Sequence, residues 1–318
     1  MNYCFLTEDI KGLTQNPLNI QKEYAQRIGS LCIGSLEKQA IFSASGYEFT
    51  LTNEKVLLRC SYDNLRAGLR LLKMHGADLL ETESDIEQIE SWYTFGFTSR
   101  QIWELDLSEI LTASHEILDS TEKIFLKSKH KGFSAVISTA RITQRDPAVV
   151  NFLETQCKKY GNRIVLSTYS PIKTDSLGTR ETRHIILDGQ LANSSRLLHT
   201  VKHTAPRSHR EKAQELVRQI NELGTFPSNY ILDLGEFINE NGNSCLDIIE
   251  LNPLSCSMCY VNNSIFDIAV PEIIELQKSL MMGYEFCYDA LNNPHHYTQK
   301  RASNVNYAFM SEARYSFV

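Results

Sequence analysis

From residue 63 to 75 apolar positions recur at helical spacing, with Leu65, Leu69 and Leu72 on one face and Gly76 as a C-cap. Before that the period is two: residues 3–6 read as a short strand, and AIFSASGYEFTLTNEKVLLRC reads as a hairpin with turns at Gly46 and Asn53. Residues 84–93 read as a helix N-capped by Ser84 with an acidic first turn, and residues 108–120 as a second helix. KIFLKS and GFSAVIS are two strands around a Lys-Gly loop, and DPAVVNFLETQCKKYG is a helix with Pro147 in its first turn. RIVLSTYS and RHIILDG are strands, SHREKAQELVRQINELG is a helix, and NYILDLGEF and CLDIIELN are strands. Gly189 and Asn241-Gly242 mark turns between extended runs. Residues 271–282 read as a last helix, and the tail from about Asn292 reads as polar, aromatic and irregular. The order is that of an α+β protein without repeats or long linkers.

Composition narrows the function classes. At 318 residues the chain has room for about two domains, and 42% hydrophobic with 22% charged residues is ordinary for a globular protein. A net charge of -6 supplies no basic field for nucleic acid, so no nucleic-acid partner is indicated. The local basic stretch 202–210 reads as a solvated helix face. Eight scattered cysteines and an opening MNYCFLTEDI with no signal-peptide pattern predict reduced thiols and a cytoplasmic location, in the producing cell or in a recipient host. No apolar run approaches the ~20 residues that span a bilayer, so no membrane partner is expected.

Candidate chemistry concentrates in four segments. In DIIELNPLS, Asp247, Glu250 and Asn252 sit around a strand end, and alternation puts Glu250 and Asn252 on the same side, offering oxygens to a hard cation such as magnesium. The alternative is that Glu250 caps a turn that Asn252 begins. In YILDLGEF, Asp233 follows three apolar residues and adds a second strand-borne carboxylate. In KIFLKSKHKGFS, Lys127, Lys129 and Lys131 supply charge for phosphate, and Lys131, Gly132 and Ser134 form a flap whose amides close over it, unless the segment is only a solvated hairpin. In GTRETRHIILDGQL, Glu181 and Arg183 share one face, and an inward Arg183 demands an anion, either Glu181 or a triphosphate. Cys256 and Cys259 form a C-x-x-C without a second pair and read as structural thiols. Trp92, Tyr93, Phe95 and Phe97 read as core, with an acceptor cleft as the alternative.

Taken in order, FLKS, a KGFS loop, ETRHIILDG, YILDLGEF and IIELNPLS ahead of Tyr260 resemble the ATP-grasp superfamily over about residues 122–265. The resemblance implies an α+β ATP-grasp fold, in which two α+β subdomains grip the nucleotide after a smaller α/β domain. The implied boundaries are 1–120 for the preceding domain, 121–291 for the grasp and 292–318 for a tail. By the same resemblance Lys127 and Arg183 act on the transferred phosphoryl group, and Lys131, Gly132, Ser134 and Glu181 belong to the ATP site. Tyr169, Ser170 and Ile172 fall at the adenine hinge, and Asp233, Glu250 and Asn252 hold Mg2+. The implied reaction is attack of a carboxylate on the γ-phosphate of ATP, giving ADP and an acylphosphate that an amine or thiol acceptor then opens. The chain departs from the pattern in having a single glycine, Gly132, in the covering loop, and Ser255-Cys256-Ser257-Met258-Cys259 where the family has Ser-Gly. An ATP-binding assembly factor or chaperone on the same fold, holding a protein partner, is the alternative.

Overall fold

The computed structural model describes residues 2–6, 31–43, 48, 51, 55–112, 115–129, 132–196, 204–239, 242–257 and 314–317. They fall into two compact units, the first from Met1–Trp92, Thr174–Glu236 and Ile248–Val305, the second from Tyr93–Lys173, Phe237–Asp247 and Asn306–Val318. Among the described residues no helix is long and apolar enough to cross a membrane.

The first unit opens with β1 (Asn2–Leu6), β2 (Leu31–Ser35), β3 (Ala40–Ser43), β4 (Lys55–Arg59) and β5 (Asp78–Leu79), in the order β3-β2-β1-β4-β5. The pairs β1/β2, β1/β4 and β4/β5 are parallel, and β2/β3 is antiparallel. Helix α1 (Leu65–Met74) buries Leu65, Leu69 and Leu72, the face its period predicts. A Cβ on Gly68 would stand 2.9 Å from both Leu6 and Leu58, so the glycine lets α1 approach β1 and β4 closely. Helix α2 (Glu83–Glu90) is capped by Thr82, not by the expected Ser84. Thr82 forms a reciprocal capping box with Asp85: its Oγ1 accepts from the Asp85 amide at 3.2 Å, while its own amide donates to Asp85 Oδ2 at 2.8 Å.

The second unit begins with β6 (Ile102–Asp106), followed by α3 (Leu107–Leu111) and α4 (Ile117–Ser120). The expected helix over 108–120 is thus two short pieces. Thr112 bonds back to the Ser108 and Glu109 carbonyls, a local alternative that ends the first of them. Next come β7 (Lys123–Ser128), β8 (Ser134–Ser138), α5 (Thr139–Thr143), α6 (Pro147–Tyr160) and β9 (Arg163–Thr168). Strand β6 precedes the boundary expected near residue 120, yet it pairs antiparallel with β9 and completes this unit's sheet. The core of the unit packs Ile124, Leu126, Ile137, Leu153, Ile164 and Leu166 from the sheet and α6.

Back in the first unit, a small hairpin of β10 (Thr174–Asp175) and β11 (Gly178–Thr179) leads into β12 (Glu181–Leu187) and β13 (Gln190–Arg196). Helix α7 (Arg207–Glu222), β14 (Tyr230–Ile238) and β15 (Ser244–Asn252) follow, and the four long strands order as β13-β12-β14-β15. The basic stretch read as a solvated face is described from Thr204 onward, and its His209 is buried instead. The tail is not irregular throughout either. Strand β16 (Arg314–Phe317) pairs parallel with β8, so the second sheet runs β16-β8-β7-β9-β6. The helix expected over 271–282 lies outside the described residues.

Candidate functional site

Register assembles the first cluster. Arg183 on β12 is paired with Asp233 on β14, so both side chains stand on one face of the sheet. Both are buried, and they meet in a bidentate bridge, Nε to Oδ1 at 2.8 Å and Nη2 to Oδ2 at 2.6 Å. Asp233 thus supplies Arg183 with an anion, while Glu181 on the same strand is paired in register with Gly235. Asn252, at the end of β15 and 2% exposed, donates its Nδ2 to Asp233 Oδ2 at 2.8 Å and to Glu250 Oε1 at 3.0 Å. The structure thus brings Arg183, Asp233, Glu250 and Asn252 together.

Two features fit this cluster to a hard divalent cation. The Asn252 Oδ1 is buried and has no hydrogen-bond partner among the described residues, a carboxamide oxygen left without a donor where such atoms normally have one. Formally the cluster carries one net negative charge, with +1 on Arg183 and -1 on each of Asp233 and Glu250. Among the described residues no group of three His, Cys, Asp or Glu side chains is arranged for a metal. The set here has two carboxylates and a carboxamide, all oxygen donors of the kind magnesium takes.

Glu81 supports this end of β15, and sequence reasoning missed it. Its carboxylate is 2% exposed and accepts from the Leu254 amide at 2.6 Å, the Ser255 amide at 2.7 Å and the Ser255 hydroxyl at 2.5 Å. The Cys60 amide adds a bond to the Ser255 carbonyl at 3.1 Å. The turn directly after Asn252 is held by residues far earlier in the chain. Nothing in LLETES distinguishes Glu81 from Glu83, which is only half-buried. Cys256 is half-buried against the core of the first unit, and Cys259 lies outside the described residues.

On the opposite face of β12 lies a second polar chain. Thr182 Oγ1 sits 2.9 Å from both His184 Nε2 and His209 Nδ1, and His184 Nδ1 sits 2.8 Å from Ser194 Oγ. Burial pushes His184 down to about 3, and the neighbouring His209 acts in the same direction. Burial also lowers His209, opposed by Glu236 and reinforced by Arg180 and Arg196. Both rings are neutral near pH 7 and serve as uncharged hydrogen-bonding groups behind the Arg183 strand.

The second unit holds the other predicted residues. Lys127, half-buried on β7, pairs in register with Ser134 and Val165. Lys129 reaches Glu104 at 3.1 Å, and Tyr93 and Arg163 also donate to that carboxylate. Burial opposes charge on Glu104, but these donors prevail and hold it below the usual carboxylate range. The Gly132 and Phe133 amides both donate to Ser128 Oγ, at 2.5 and 3.1 Å, and a Cβ on Gly132 would meet the Tyr160 ring at 2.0 Å. The described part of the loop is thus a closed turn folded onto its own strand. Ser134 lies in β8 with a fully buried hydroxyl, and Lys131 is outside the described residues.

The segment 169–172 runs extended. The Tyr169 amide bonds the Lys123 carbonyl, the Pro171 carbonyl accepts from Ile238, and Ile172 bridges Phe237, with Ser170 half-buried between them. Asp247 belongs to this unit, where its Oδ2 accepts from Thr98 Oγ1 at 2.7 Å, Ser99 Oγ at 2.8 Å and the Ser99 amide at 3.1 Å. The Arg100 guanidinium lies over the Phe237 ring, 4.6 Å from its centroid. Of the aromatic group, Trp92 is buried and Phe95 and Phe97 stack at 5.8 Å.

No protein-family model matches the chain, and no curated protein does. Solved structures match over most of its length. An ATP-grasp RimK domain protein from Sphaerobacter thermophilus is 14% identical with a TM-score of 0.52, covering 80% of this chain and 92% of its own. D-alanyl-alanine synthetase A from Vibrio cholerae is 12% identical at a TM-score of 0.52, covering 89% and 98%. The D-alanine-D-alanine ligase from Coxiella burnetii is 12% identical at 0.51, covering 94% and 100%. The resemblance read from the motifs holds at the level of the fold: the chain has the α+β architecture of ATP-grasp proteins.

Proposed function

We propose that this ATP-grasp chain is an ATP- and magnesium-dependent ligase that joins a carboxylate to an amine, or to a thiol, through an acylphosphate. The observation that carries the reading is the cluster of buried Arg183, Asp233 and Asn252 with half-buried Glu250, its net negative charge and its carboxamide oxygen without a partner among the described residues. Among the solved structures it is similar to are a D-alanyl-alanine synthetase and a D-alanine-D-alanine ligase.

In this reading Asp233, Glu250 and Asn252 hold Mg2+, which supplies charge neutralisation at the phosphates when bound. Asn252 presents its Oδ1, and its Nδ2 keeps the two carboxylates in place. Arg183 is held rigid by Asp233 and stabilises charge on the phosphoryl oxygens as the carboxylate attacks. Lys127 contributes a point charge to the nucleotide phosphates, with Glu181 beside Arg183; Lys131 and Gly132 serve in the covering loop once the Gly132 amide leaves Ser128, and Ser134 stays in β8 at the base of that loop. Tyr169, Ser170 and Ile172 line the adenine. The chemistry needs no nucleophile on the protein: the substrate carboxylate attacks the γ-phosphate, ADP leaves, and the acceptor nitrogen or sulfur displaces phosphate.

The test is ADP release measured across a panel of small carboxylates and amines with Mg-ATP. Carboxylate-stimulated release that Glu250→Gln lowers at least a hundredfold, with the variant still folded, is the expected result. Turnover unchanged in Glu250→Gln removes the metal assignment.

A further inference from the structure

The Arg183 cluster extends one strand further than its salt bridge. Ser195 on β13 is the register partner of Arg183, just as Asp233 is on the other side. Residues opposed in an antiparallel pair share a face, with Cβ atoms about 5 Å apart. The adjacent pair shows it directly, because Ser194 bonds its opposite number His184 on the reverse face. Ser195, Arg183 and Asp233 therefore form a row across β13, β12 and β14, and the Asn252 carboxamide joins Asp233 at its far end.

Both ends of that row are unsatisfied. Ser195 is 1% exposed and its hydroxyl has no hydrogen-bond partner among the described residues, as is true of the Asn252 Oδ1. A buried hydroxyl without a partner costs stability, and Ala would fill the position without that cost. Beside a guanidinium, an unused hydroxyl is a donor suited to an anionic oxygen. We propose that Ser195 is a further ligand contact, its hydroxyl donating to an oxygen of the γ-phosphoryl group alongside Arg183. The assignment rests on the nucleotide reading of the Arg183 cluster given above.

The experiment compares wild type, Ser195→Ala and Ser195→Cys in thermal melts titrated with Mg-ATP and with Mg-ADP. The ligand-free Ser195→Ala protein melts at or above the wild-type temperature, while its affinity for Mg-ATP falls about tenfold, the effect of one hydrogen bond to a charged group. Its affinity for Mg-ADP, which lacks the γ-phosphoryl group, stays within about twofold of wild type. Ser195→Cys keeps the size and a weak donor, and falls between the two for Mg-ATP. A purely structural serine predicts a lower melting temperature in Ser195→Ala with both nucleotides bound as before, and that result overturns the proposal. Equal loss of Mg-ATP and Mg-ADP affinity overturns the γ-phosphoryl contact. If the wild type itself shows no nucleotide-dependent shift, the reading of the site falls, and this assignment falls with it.

Discussion

The two polar regions that the sequence marks for phosphate chemistry are built on opposite plans. In the first unit, Arg183, Asp233 and Asn252 are buried, joined by short hydrogen bonds, and still leave one acceptor unmatched. In the second, the loop amides of Gly132 and Phe133 are both given to Ser128, and Lys129 is given to Glu104. One region is preorganised around an unfilled requirement, and in the other the loop amides and Lys129 are already spent, leaving the Ser134 hydroxyl as its one buried group without a partner among the described residues. Where polar groups are satisfied without a ligand, binding must exchange bonds and gains little from them. Where a buried group lacks a partner, a ligand supplies what the fold does not.

Substitutions break that contrast in order of size. Arg183→Met removes one half of a buried ion pair and leaves Asp233 uncompensated beside Glu250, which costs about 3–5 kcal/mol. Denaturant unfolding reads it, and a loss under about 1 kcal/mol would show that the pair is open to solvent and not preorganised. Ser128→Ala has a smaller effect, because it removes one acceptor from two amides at about 1 kcal/mol for a typical bond. Its signature is local: faster hydrogen exchange at Gly132 and Phe133, with the rest of β7 and β8 protected as before. Exchange unchanged at both amides would mean that Ser128 does not hold the loop closed.

What the sequence shows of this molecule follows the range of the interaction. Period and turn residues locate α1, α6, α7, β12, β14 and β15, because those signals lie within a few residues of one another. The capping residue of α2 falls two positions from the expected one, since a T-x-x-D box outranks a lone Ser84. Strands β6, β13 and β16 are not legible in the sequence, because IWELD and QLANSSR carry little alternation and RYSF, which does alternate, is only four residues long. The site divides in the same way. Glu250 and Asn252 are legible because two-residue alternation puts them together, and the structure joins them at 3.0 Å. The pairing of Arg183 with Asp233 is not legible, because the two stand fifty residues apart and only strand register brings them together. Glu81 is further out of reach: a buried carboxylate clamping backbone amides leaves no local pattern.

The most direct measurement of the central claim is a thermal melt with Mg-ATP, ATP without magnesium, and neither. At one hundred times its dissociation constant a ligand stabilises the folded state by about 2.7 kcal/mol. A clear upward shift that requires magnesium and disappears in Glu250→Gln is the predicted result. No shift at millimolar Mg-ATP, or one that is the same without the metal, would contradict it.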